Sequence, residues 1–443
     1  MAAIDRDPIS RRGRSAGRGR LLFAAGLLVG VLAASLAQRL RRDPGLELLR
    51  QVRALAAETF VREVPPRQLV DDAAQGMLGG LDRYSRYYGE EEIAALDRET
   101  SGEFHGIGVV FRPPVSEARI LFAFPDSPAA RAGLGVGDTI LEVDGIRVAE
   151  MAPGALQSHI RSAGPRTVRL VVRDLAGEER GVDVTPERIV DPTVRHARLV
   201  DPHLGVGYLA VVSFSHRTPG EFDAALEELR PEGLRALIVD LRGNPGGILD
   251  AATLLANRFV REGRLVATRT RQLTQETSAR AEEATCAGMP LVVLVDAGSA
   301  SASEVLAGAL QDHGAAALVG EPTYGKGTVQ TITSFAEYAA RVKITTATYY
   351  TPAWRRIERN GEDGREGGIV PDVVVPLDAA ARTAVYAHLA TYPPPAAALP
   401  AIRAWEEREG IELVASPPPD AQLDAALALL RGERPAGAAS EGE

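Results

Sequence analysis

The chain has 443 residues, a net charge of −9 and 45% hydrophobic residues, which predicts two or three domains with sizeable cores. No basic face lies beyond the N-terminus, which argues against nucleic acid as the main partner. The single cysteine, Cys286, excludes an internal disulfide and a cysteine-based metal site, and we expect neither a metal nor another cofactor.

Residues 1–20 form a basic segment, and residues 21–37 then give 17 positions without a charge. This is the short end of a membrane span, and the arginine excess before it predicts an N-terminus inside and a body outside. Ser35-Leu36-Ala37 also fits a signal-peptide cleavage site, but Arg39 follows at once and favours an uncleaved anchor. We therefore expect a single-pass protein of the cytoplasmic membrane whose body works in the periplasm or an equivalent extracytoplasmic space.

Residues 43–98 predict a helical region. Apolar residues recur at helical spacing from Leu46 to Ala56 and from Leu69 to Leu78, with Pro65-Pro66 between the two runs. A turn at 81–85 and a short helix at 90–97 complete the region, and ordinary packing explains the pattern.

Residues 99–186 change to short strands and glycines. A glycine loop at 104–110 runs into a strand, and the run SPA, AGL, GD and DG from 127 to 145 follows it. This order resembles a PDZ domain, in which the glycine loop offers backbone N–H groups to a chain-terminal carboxylate and the peptide adds to the sheet edge as a strand. The resemblance implies carboxylate-binding amides at Ile107, Gly108 and Val109.

Residues 187–378 alternate strands and helices, which is typical of an α/β core with sites at the strand ends. Strands are predicted at 206–214, 236–240, 291–295, 315–319 and 341–350, and helices at 222–229, 248–259 and 303–310. Asn360-Gly361 predicts a hairpin turn into a returning strand at 369–375. Residues 379–443 predict two helices, at 379–389 and 423–430, before a disordered tail of about a dozen residues.

Two loops of the α/β core carry candidate chemistry, Gly298–Glu304 and Gly325–Gln330. Among 50 lysines and arginines only Lys326 and Lys343 are lysines, so arginine supplies the surface cations and Lys326 is a candidate base. An ammonium with the usual pKa of about 10.4 must be destabilised by about 4 kcal/mol to lose its proton near pH 7. An apolar pocket can supply this, and Gln330 is a suitable neutral partner for the amine.

A serine at a strand-to-helix turn can use the free N–H groups of the helix as an oxyanion hole. We expect Ala302 to be the first donor and Gly246-Gly247, at a neighbouring strand end, to supply the second. Ser299 and Ser303 are rival nucleophiles to Ser301, although Ser303-Glu304 looks more like helix-start chemistry. Asp240 and Glu304 are expected to tie down loops and the helix N-terminus.

Other bases and nucleophiles remain open at this point. His216 and His313 lie near candidate site loops, but neither is in a motif with an acid partner. Cys286 lies in a polar stretch without a motif, so we interpret it as incidental.

The chain resembles the carboxyl-terminal processing peptidases, which are tail-specific serine proteases with a PDZ domain. The resemblance runs from LDRYS at 81–85 to PDV at 371–373 and includes DLRGNPGG at 240–247, GSASASEVLAGALQDHG at 298–314 and GEPTYGKGTVQ at 320–330. It implies a ClpP- or crotonase-like α/β core with an inserted or preceding PDZ domain. It also implies Ser301 as nucleophile, Lys326 as base and Gln330 as the assisting glutamine.

The same resemblance implies export and protein substrates captured by their C-terminal carboxylate. It further implies homodimers through the terminal helical regions, and a lipoprotein or another adaptor is a further expected partner. Two alternative functions remain: a catalytically silent PDZ adaptor on a protease fold, and an acyl enzyme of the enoyl-hydratase type. The first is disfavoured by the intact Ser301, Lys326 and Gln330, and the second would need a coenzyme A site instead of a PDZ domain.

Overall fold

The computed structural model describes residues 43–433 apart from 91, 94–95, 97–101, 114–116, 360–366 and 415. The predicted basic segment at 1–20, the predicted membrane segment at 21–37, the Asn360-Gly361 turn and the end of the predicted tail lie outside the described residues. Among the helices that are described, none combines the length and apolar character needed to span a membrane. The chain divides into two compact units between Asp82 and Arg83.

In its described part, residues 43–82, the first unit contains the helices α1 (Pro44–Thr59) and α2 (Pro66–Gly79). Asp43 caps α1, since its side chain accepts a hydrogen bond from the Gly45 N–H at 2.8 Å. The helices predicted from the two apolar runs are confirmed, and Pro66 is the first residue of the second helix. Their apolar side chains are exposed, among them Leu46, Leu49, Val52 and Leu55.

The second unit begins with the short strand β1 (Arg86–Tyr88) and continues into a small β-rich domain. Its elements are β2 (Glu103–Gly106), β3 (Val109–Phe111), β4 (Ile120–Ala123), α3 (Pro128–Arg131), β5 (Thr139–Val143), β6 (Ile146–Arg147), α4 (Ala155–Ser162), β7 (Val168–Arg173), β8 (Glu179–Val184) and β9 (Glu187–Val190). Alternate residues of β5 and β7 point inward, so Ile140, Leu170 and Val172 form one core with Leu156 and Ile160 of α4. Strands β2 and β9 pair at the two ends of the domain and close it.

The rest of the unit is an α/β domain with helical C-terminal additions. Its elements are β10 (Val194–Asp201), β11 (Val206–Val211), α5 (Thr218–Leu229), β12 (Ala236–Asp240), α6 (Leu249–Phe259), β13 (Arg264–Arg269), β14 (Thr274–Ser278), β15 (Leu291–Val295), α7 (Ala302–Asp312), β16 (Ala317–Gly320), β17 (Thr328–Phe335), β18 (Ala340–Tyr350), β19 (Val373–Val374), α8 (Ala379–Leu389), α9 (Leu399–Glu409) and α10 (Ala421–Leu430).

The central sheet has the order β10-β11-β12-β15-β16-β19 and is parallel except for β10. Strands β11, β12 and β15 are buried on both faces, which is why their sequences are continuous apolar runs. One face packs against α5, α6 and α7, and the other packs against α8 and α10. Because the strands are parallel, the loops after β12, β15 and β16 meet at one edge of the sheet.

A second sheet is built on β18, which pairs with β17 along one edge and with β1 and β13 along the other. Strand β17 was not predicted from the sequence. The predicted returning strand at 369–375 was wrong in partner and length, since β19 pairs parallel with β16 and not with β18. The physical reason is that β17 already pairs with that edge of β18. The short segment Val373–Val374 pairs instead with β16 at the edge of the central sheet.

The predicted C-terminal helices are confirmed as α8 and α10, and α9 lies between them. Ile402 and Trp405 of α9 are buried against Leu121 and Phe122 of β4. The C-terminal region therefore contacts both the central sheet and the small β-rich domain.

Candidate active site

Ser301 lies at the N-cap of α7, directly after the buried strand β15 and its connecting loop. Its backbone has a φ of +56°, a strained value for a residue with a side chain, and its side chain is largely buried. The hydroxyl groups of the two rival serines donate to backbone carbonyl groups. Ser299 Oγ donates to the Leu241 carbonyl at 2.7 Å, and Ser303 Oγ donates to the Asn244 carbonyl at 3.0 Å. Of the three, Ser301 is the one at the strained turn.

The Glu304 carboxylate joins the serine loop to the lysine loop. One of its oxygens accepts the backbone N–H groups of Ser301 and Lys326, each at 2.8 Å. The other oxygen accepts the Gly325 N–H and the Thr323 hydroxyl, each at 2.6 Å. Burial raises the pKa of Glu304, and these four donors act against that rise. The predicted role of Glu304 in tying down the helix N-terminus is confirmed, and it extends to the second loop.

The side chains of Ser301 and Lys326 each lie near a tyrosine. Burial raises the pKa of the Tyr349 phenol to about 12, and the nearby Ser301 side chain acts against that rise. The Lys326 Nζ lies 4.9 Å from the ring centroid of Tyr84. Among the described residues no hydrogen bond joins Ser301 Oγ to Lys326 Nζ, although Glu304 holds the two backbones together.

Gln330 lies on β17, four residues after Lys326. Its side-chain nitrogen donates to Thr328 Oγ1 at 3.0 Å and to Thr345 Oγ1 at 3.3 Å. These contacts fix the plane of the amide and leave its carbonyl oxygen as an acceptor at the end of the lysine loop.

Gly246 and Gly247 lie beside the serine turn, but they differ in what they offer. The Gly246 N–H already donates to Asn244 Oδ1 at 2.8 Å, so this glycine is not available as an oxyanion donor. Its contribution is space, because a Cβ there would lie 2.9 Å from Ser301 Cβ and 3.0 Å from Ala302 N. The N–H groups of Ala302 and Gly247 have no acceptor within the described part of the chain. They are therefore the two predicted donors that remain available.

The alternative catalytic groups from the sequence analysis lie elsewhere. His313 Nε2 is 2.7 Å from the Arg264 carbonyl oxygen, and His216 is exposed. Cys286 is buried in the core under α6, where its N–H donates to the Arg258 carbonyl at 2.8 Å. None of the three has a hydrogen bond with Ser301 among those of the described residues.

The glycine loop of the small domain lies between β2 and β3. Gly108 has a φ of +76°, and a Cβ there would come within 2.4 Å of the Ser127 side chain, so only glycine fits. The Ile107 and Gly108 N–H groups have no acceptor among the described residues, while Val109 begins β3. The loop thus presents unused backbone donors, which suits an anionic group.

Comparison with known proteins decides the family. The model of peptidase family S41 matches residues 205–375, and the PDZ domain model matches residues 125–174. A carboxy-terminal-processing protease of Bartonella bacilliformis is 30% identical over 80% of this chain and 82% of its own length. A carboxyl-terminal-processing protease of Synechocystis is 36% identical over 72% of this chain and 74% of its own length. The chain belongs to the carboxyl-terminal processing protease family.

A solved photosystem II D1 C-terminal processing protease is also similar, with 29% identity over 74% of this chain and 86% of that chain and a TM-score of 0.43. The two relatives and the two domain models confirm the expected family, and the protein is a serine peptidase with a PDZ domain. Protein substrates fit this combination of domains.

The C-terminal helices of the protease reach the loops around the site, which the sequence analysis did not predict. The Tyr386 hydroxyl of α8 donates to Asp296 Oδ2 at 2.6 Å, and Asp296 Oδ1 accepts the Gly243 and Gly298 N–H groups. Arg242 is buried between Asp240 and Asp420, with nitrogen–oxygen distances of 2.6 Å to each. The predicted structural role of Asp240 is confirmed, because its carboxylate pairs with Arg242 in the second of these networks. Both networks link residues that are far apart in sequence, so no local pattern could indicate them.

Proposed function

We propose that the protease cleaves by a Ser-Lys mechanism, with Ser301 as nucleophile and Lys326 as general base. The observation that carries this proposal is the Glu304 carboxylate oxygen that accepts both the Ser301 and the Lys326 N–H at 2.8 Å. A shared acceptor keeps the two backbones within one side-chain length of each other. Rotation of the two side chains can then bring the amine to the hydroxyl without movement of either loop.

In the proposed reaction, neutral Lys326 accepts the Ser301 proton while Oγ attacks the scissile carbonyl carbon. The Ala302 and Gly247 N–H groups hold the resulting oxyanion. Collapse breaks the C–N bond, and the Lys326 ammonium returns the proton to the leaving amine. A water molecule then gives a proton to Lys326, attacks the acyl ester and releases Ser301, which recovers that proton. Gln330 orients the lysine amine through its amide oxygen.

We propose that the substrate is recognised through its C-terminus. The unused Ile107 and Gly108 N–H groups support carboxylate binding at the glycine loop, and Val109 begins the strand beside which the peptide would add. A protein with a blocked C-terminus should therefore be cleaved more slowly than the same protein with a free carboxylate.

We propose that residues 21–37 anchor the enzyme in the cytoplasmic membrane, with the protease domain on the extracytoplasmic side. The support is the uncharged run of 17 residues after a basic segment. Fractionation of cells expressing the full chain tests this. Recovery of the body in the soluble fraction with an N-terminus at Gln38 would contradict the uncleaved anchor.

The two lysines provide a matched test of the mechanism. We expect Ser301→Ala and Lys326→Arg to abolish cleavage of an unfolded protein with an apolar C-terminus, because arginine keeps the charge but cannot act as a base near neutral pH. Lys343→Arg, on β18, should retain activity. If Lys326→Arg cleaved at the wild-type rate, the Ser-Lys proposal would fail. If wild type were also inactive while still binding the substrate, the chain would be a silent binding protein.

A further inference from the structure

The carboxylate of Asp296 joins the two loops that lead to the proposed oxyanion donors. Its Oδ1 accepts the Gly298 N–H at 2.8 Å and the Gly243 N–H at 3.0 Å. Gly298 lies on the loop that leads from β15 to Ala302, and Gly243 lies on the loop that leads from β12 to Gly247. We call these two segments the donor loops. One side chain, only 3% exposed, therefore holds both donor loops.

The donor loops also contact each other directly beside this carboxylate. The Ala300 N–H and the Ser303 hydroxyl both donate to the Asn244 carbonyl, each at 3.0 Å. A Cβ on Gly298 would lie 2.8 Å from the Gly243 Cα, so the two backbones pack without room for a side chain. Because the contact is this close, a small shift of one loop changes the distance between the oxyanion donors.

Tyr386, on the C-terminal helix α8, holds the Asp296 carboxylate from the other side. Its hydroxyl donates to Asp296 Oδ2 at 2.6 Å, which is the hydrogen bond that this oxygen accepts within the described part of the chain. A Cβ on Gly243 would lie 3.5 Å from the Tyr386 ring, and one on Gly298 would lie 2.8 Å from the Tyr386 hydroxyl oxygen. The phenol thus lies against both donor loops, and its loss would leave a buried carboxylate oxygen without this partner.

We propose that Tyr386 is a positioning residue for the oxyanion hole and acts through Asp296, which holds the two donor loops together. Tyr386 has no hydrogen bond with Ser301 among those of the described residues, so its effect on the reaction is indirect. It lies beyond residues 205–375, which the peptidase model matches. This inference rests on the proposed mechanism and its oxyanion donors, and it adds that the C-terminal helical region helps to shape the site.

Tyr386→Phe should lower kcat and leave KM unchanged. The variant keeps the ring and its packing but removes the hydroxyl, so the Asp296 carboxylate is free to rotate away from the donor loops. Complete loss of one oxyanion donor lowers kcat by about a hundredfold to a thousandfold. A displaced donor is weakened and not lost, so we expect kcat for one peptide substrate to fall by about tenfold.

A peptide boronic acid gives a second readout that is specific to the oxyanion hole. It forms a tetrahedral adduct with a serine nucleophile, and this adduct resembles the reaction intermediate. Its Ki should rise by about the same tenfold in Tyr386→Phe, because transition-state analogues report interactions that the ground state does not make. A general loss of stability would lower Tm in thermal unfolding without this selective loss of affinity.

Tyr392→Phe is the matched control. Tyr392 belongs to the same C-terminal region and is half-buried like Tyr386, and its hydroxyl also donates to a carboxylate, that of Asp191, at 2.8 Å. Asp191 pairs with Arg195 and has no hydrogen bond with the donor loops among those of the described residues. The control should keep the wild-type kcat and Ki. Equal falls in the two variants, or a wild-type kcat in folded Tyr386→Phe, would overturn the inference.

A double variant tests whether Tyr386 acts through Asp296. Asp296→Ala removes the shared acceptor and should lower kcat more than Tyr386→Phe does. In Asp296→Ala/Tyr386→Phe the loss of the hydroxyl should cause no further fall, because its acceptor is already absent. Falls that multiply in the double variant would show that the tyrosine acts by another route and would overturn the proposed one.

Ser301→Ala separates this inference from the proposed mechanism. If Ser301→Ala is inactive while Tyr386→Phe keeps the wild-type kcat and Ki, the positioning role is refuted and the mechanism stands. If Ser301→Ala cleaves the peptide at the wild-type rate, the mechanism is refuted and the inference fails with it.

Discussion

At the scale of single residues, Glu304 does more than start a helix. The sequence predicted a carboxylate near the free N–H groups of a helix N-terminus, a local arrangement. The structure adds the Gly325 and Lys326 N–H groups, which come from a loop more than twenty residues further along the chain. A glutamine has only one oxygen for four donors, so this position needs both oxygens of a carboxylate.

Gly246 must be glycine for two reasons: its backbone has a positive φ, and neighbouring atoms leave no room for a side chain. Its φ is +100°, and a Cβ would lie 2.7 Å from the Ala300 carbonyl oxygen and 2.9 Å from Ser301 Cβ. The glycine therefore leaves room for the turn that presents Ser301 and Ala302. Its N–H donates to the Asn244 side chain, so Gly246 provides space for the turn but is not itself an oxyanion donor.

We expect Gly246→Ala to lower kcat by about a hundredfold, because displacement of Ala302 weakens one oxyanion donor. Gly145→Ala is the matched control. Gly145 has a similar φ of +80°, but a Cβ there would have no neighbour within 4 Å. Both variants carry the same kind of backbone strain, of about 1–2 kcal/mol. Kinetics on one peptide substrate would separate them, and equal losses in the two variants would contradict the steric explanation.

At the scale of elements, the helix α8 and the strand β10 meet through two histidines. The His196 and His388 rings lie 4.5 Å apart and are stacked, and the Nε2 of each is buried without a hydrogen-bond partner among the described residues. Burial, followed by the charge of His388 and of Arg198, lowers the pKa of His196 to about 4. Burial also lowers the pKa of His388. Both rings are therefore neutral in the folded protein at neutral pH.

This pair predicts an acid-sensitive contact. The unfolded chain binds a proton at His196 below about pH 6.5, whereas the folded chain does so only near pH 4, so stability falls as the pH drops through that window. The loss is on the order of 3 kcal/mol by pH 4. His196→Asn should flatten the dependence of Tm on pH between 6.5 and 4.

Asparagine suits the site because His196 has a φ of +59°, a conformation that asparagine tolerates well. His203→Asn is the control, since His203 is exposed in a turn and should keep the wild-type pH dependence. An unchanged slope in folded His196→Asn would show that other groups cause the acid sensitivity.

At the scale of the whole second unit, the C-terminal region connects the PDZ domain with the protease core. Its helix α8 contacts the site loops through Tyr386 and Asp296, and α10 is joined to Arg242 through Asp420. Between them, α9 packs Trp405 against Phe122 of the PDZ domain. Arg119 of the PDZ domain adds an ion pair with Glu409 at 2.7 Å. Aromatic contacts of Trp405 and Tyr392, together with this ion pair, thus hold the PDZ domain on this side.

We expect Trp405→Ala to release α9 from the PDZ domain, since loss of a buried tryptophan costs about 3–5 kcal/mol. Hydrogen exchange should increase in β4 and in α9 and stay unchanged in the central strands. Trp354→Ala is the matched control, because Trp354 is 47% exposed while Trp405 is 1% exposed. Protection of β4 equal to that of wild type in Trp405→Ala would exclude this anchoring role.

The sequence by itself determined the elements whose signal is local. The buried strands β12 and β15 are continuous apolar runs, α8 and α10 follow helical periodicity, and the glycines of the motifs mark turns that only glycine allows. These features depend on neighbours within a few residues, which the chain displays directly.

Only the tertiary structure decided how those elements meet. It placed β19 on the central sheet, because the edge of β18 was already paired with β17. It brought Glu304 to the lysine loop and Tyr386 to Asp296, contacts between residues 22 and 90 positions apart. Such contacts form because parallel strand ends converge at one edge of a sheet, and side-chain partners across that edge leave no periodic trace in the sequence.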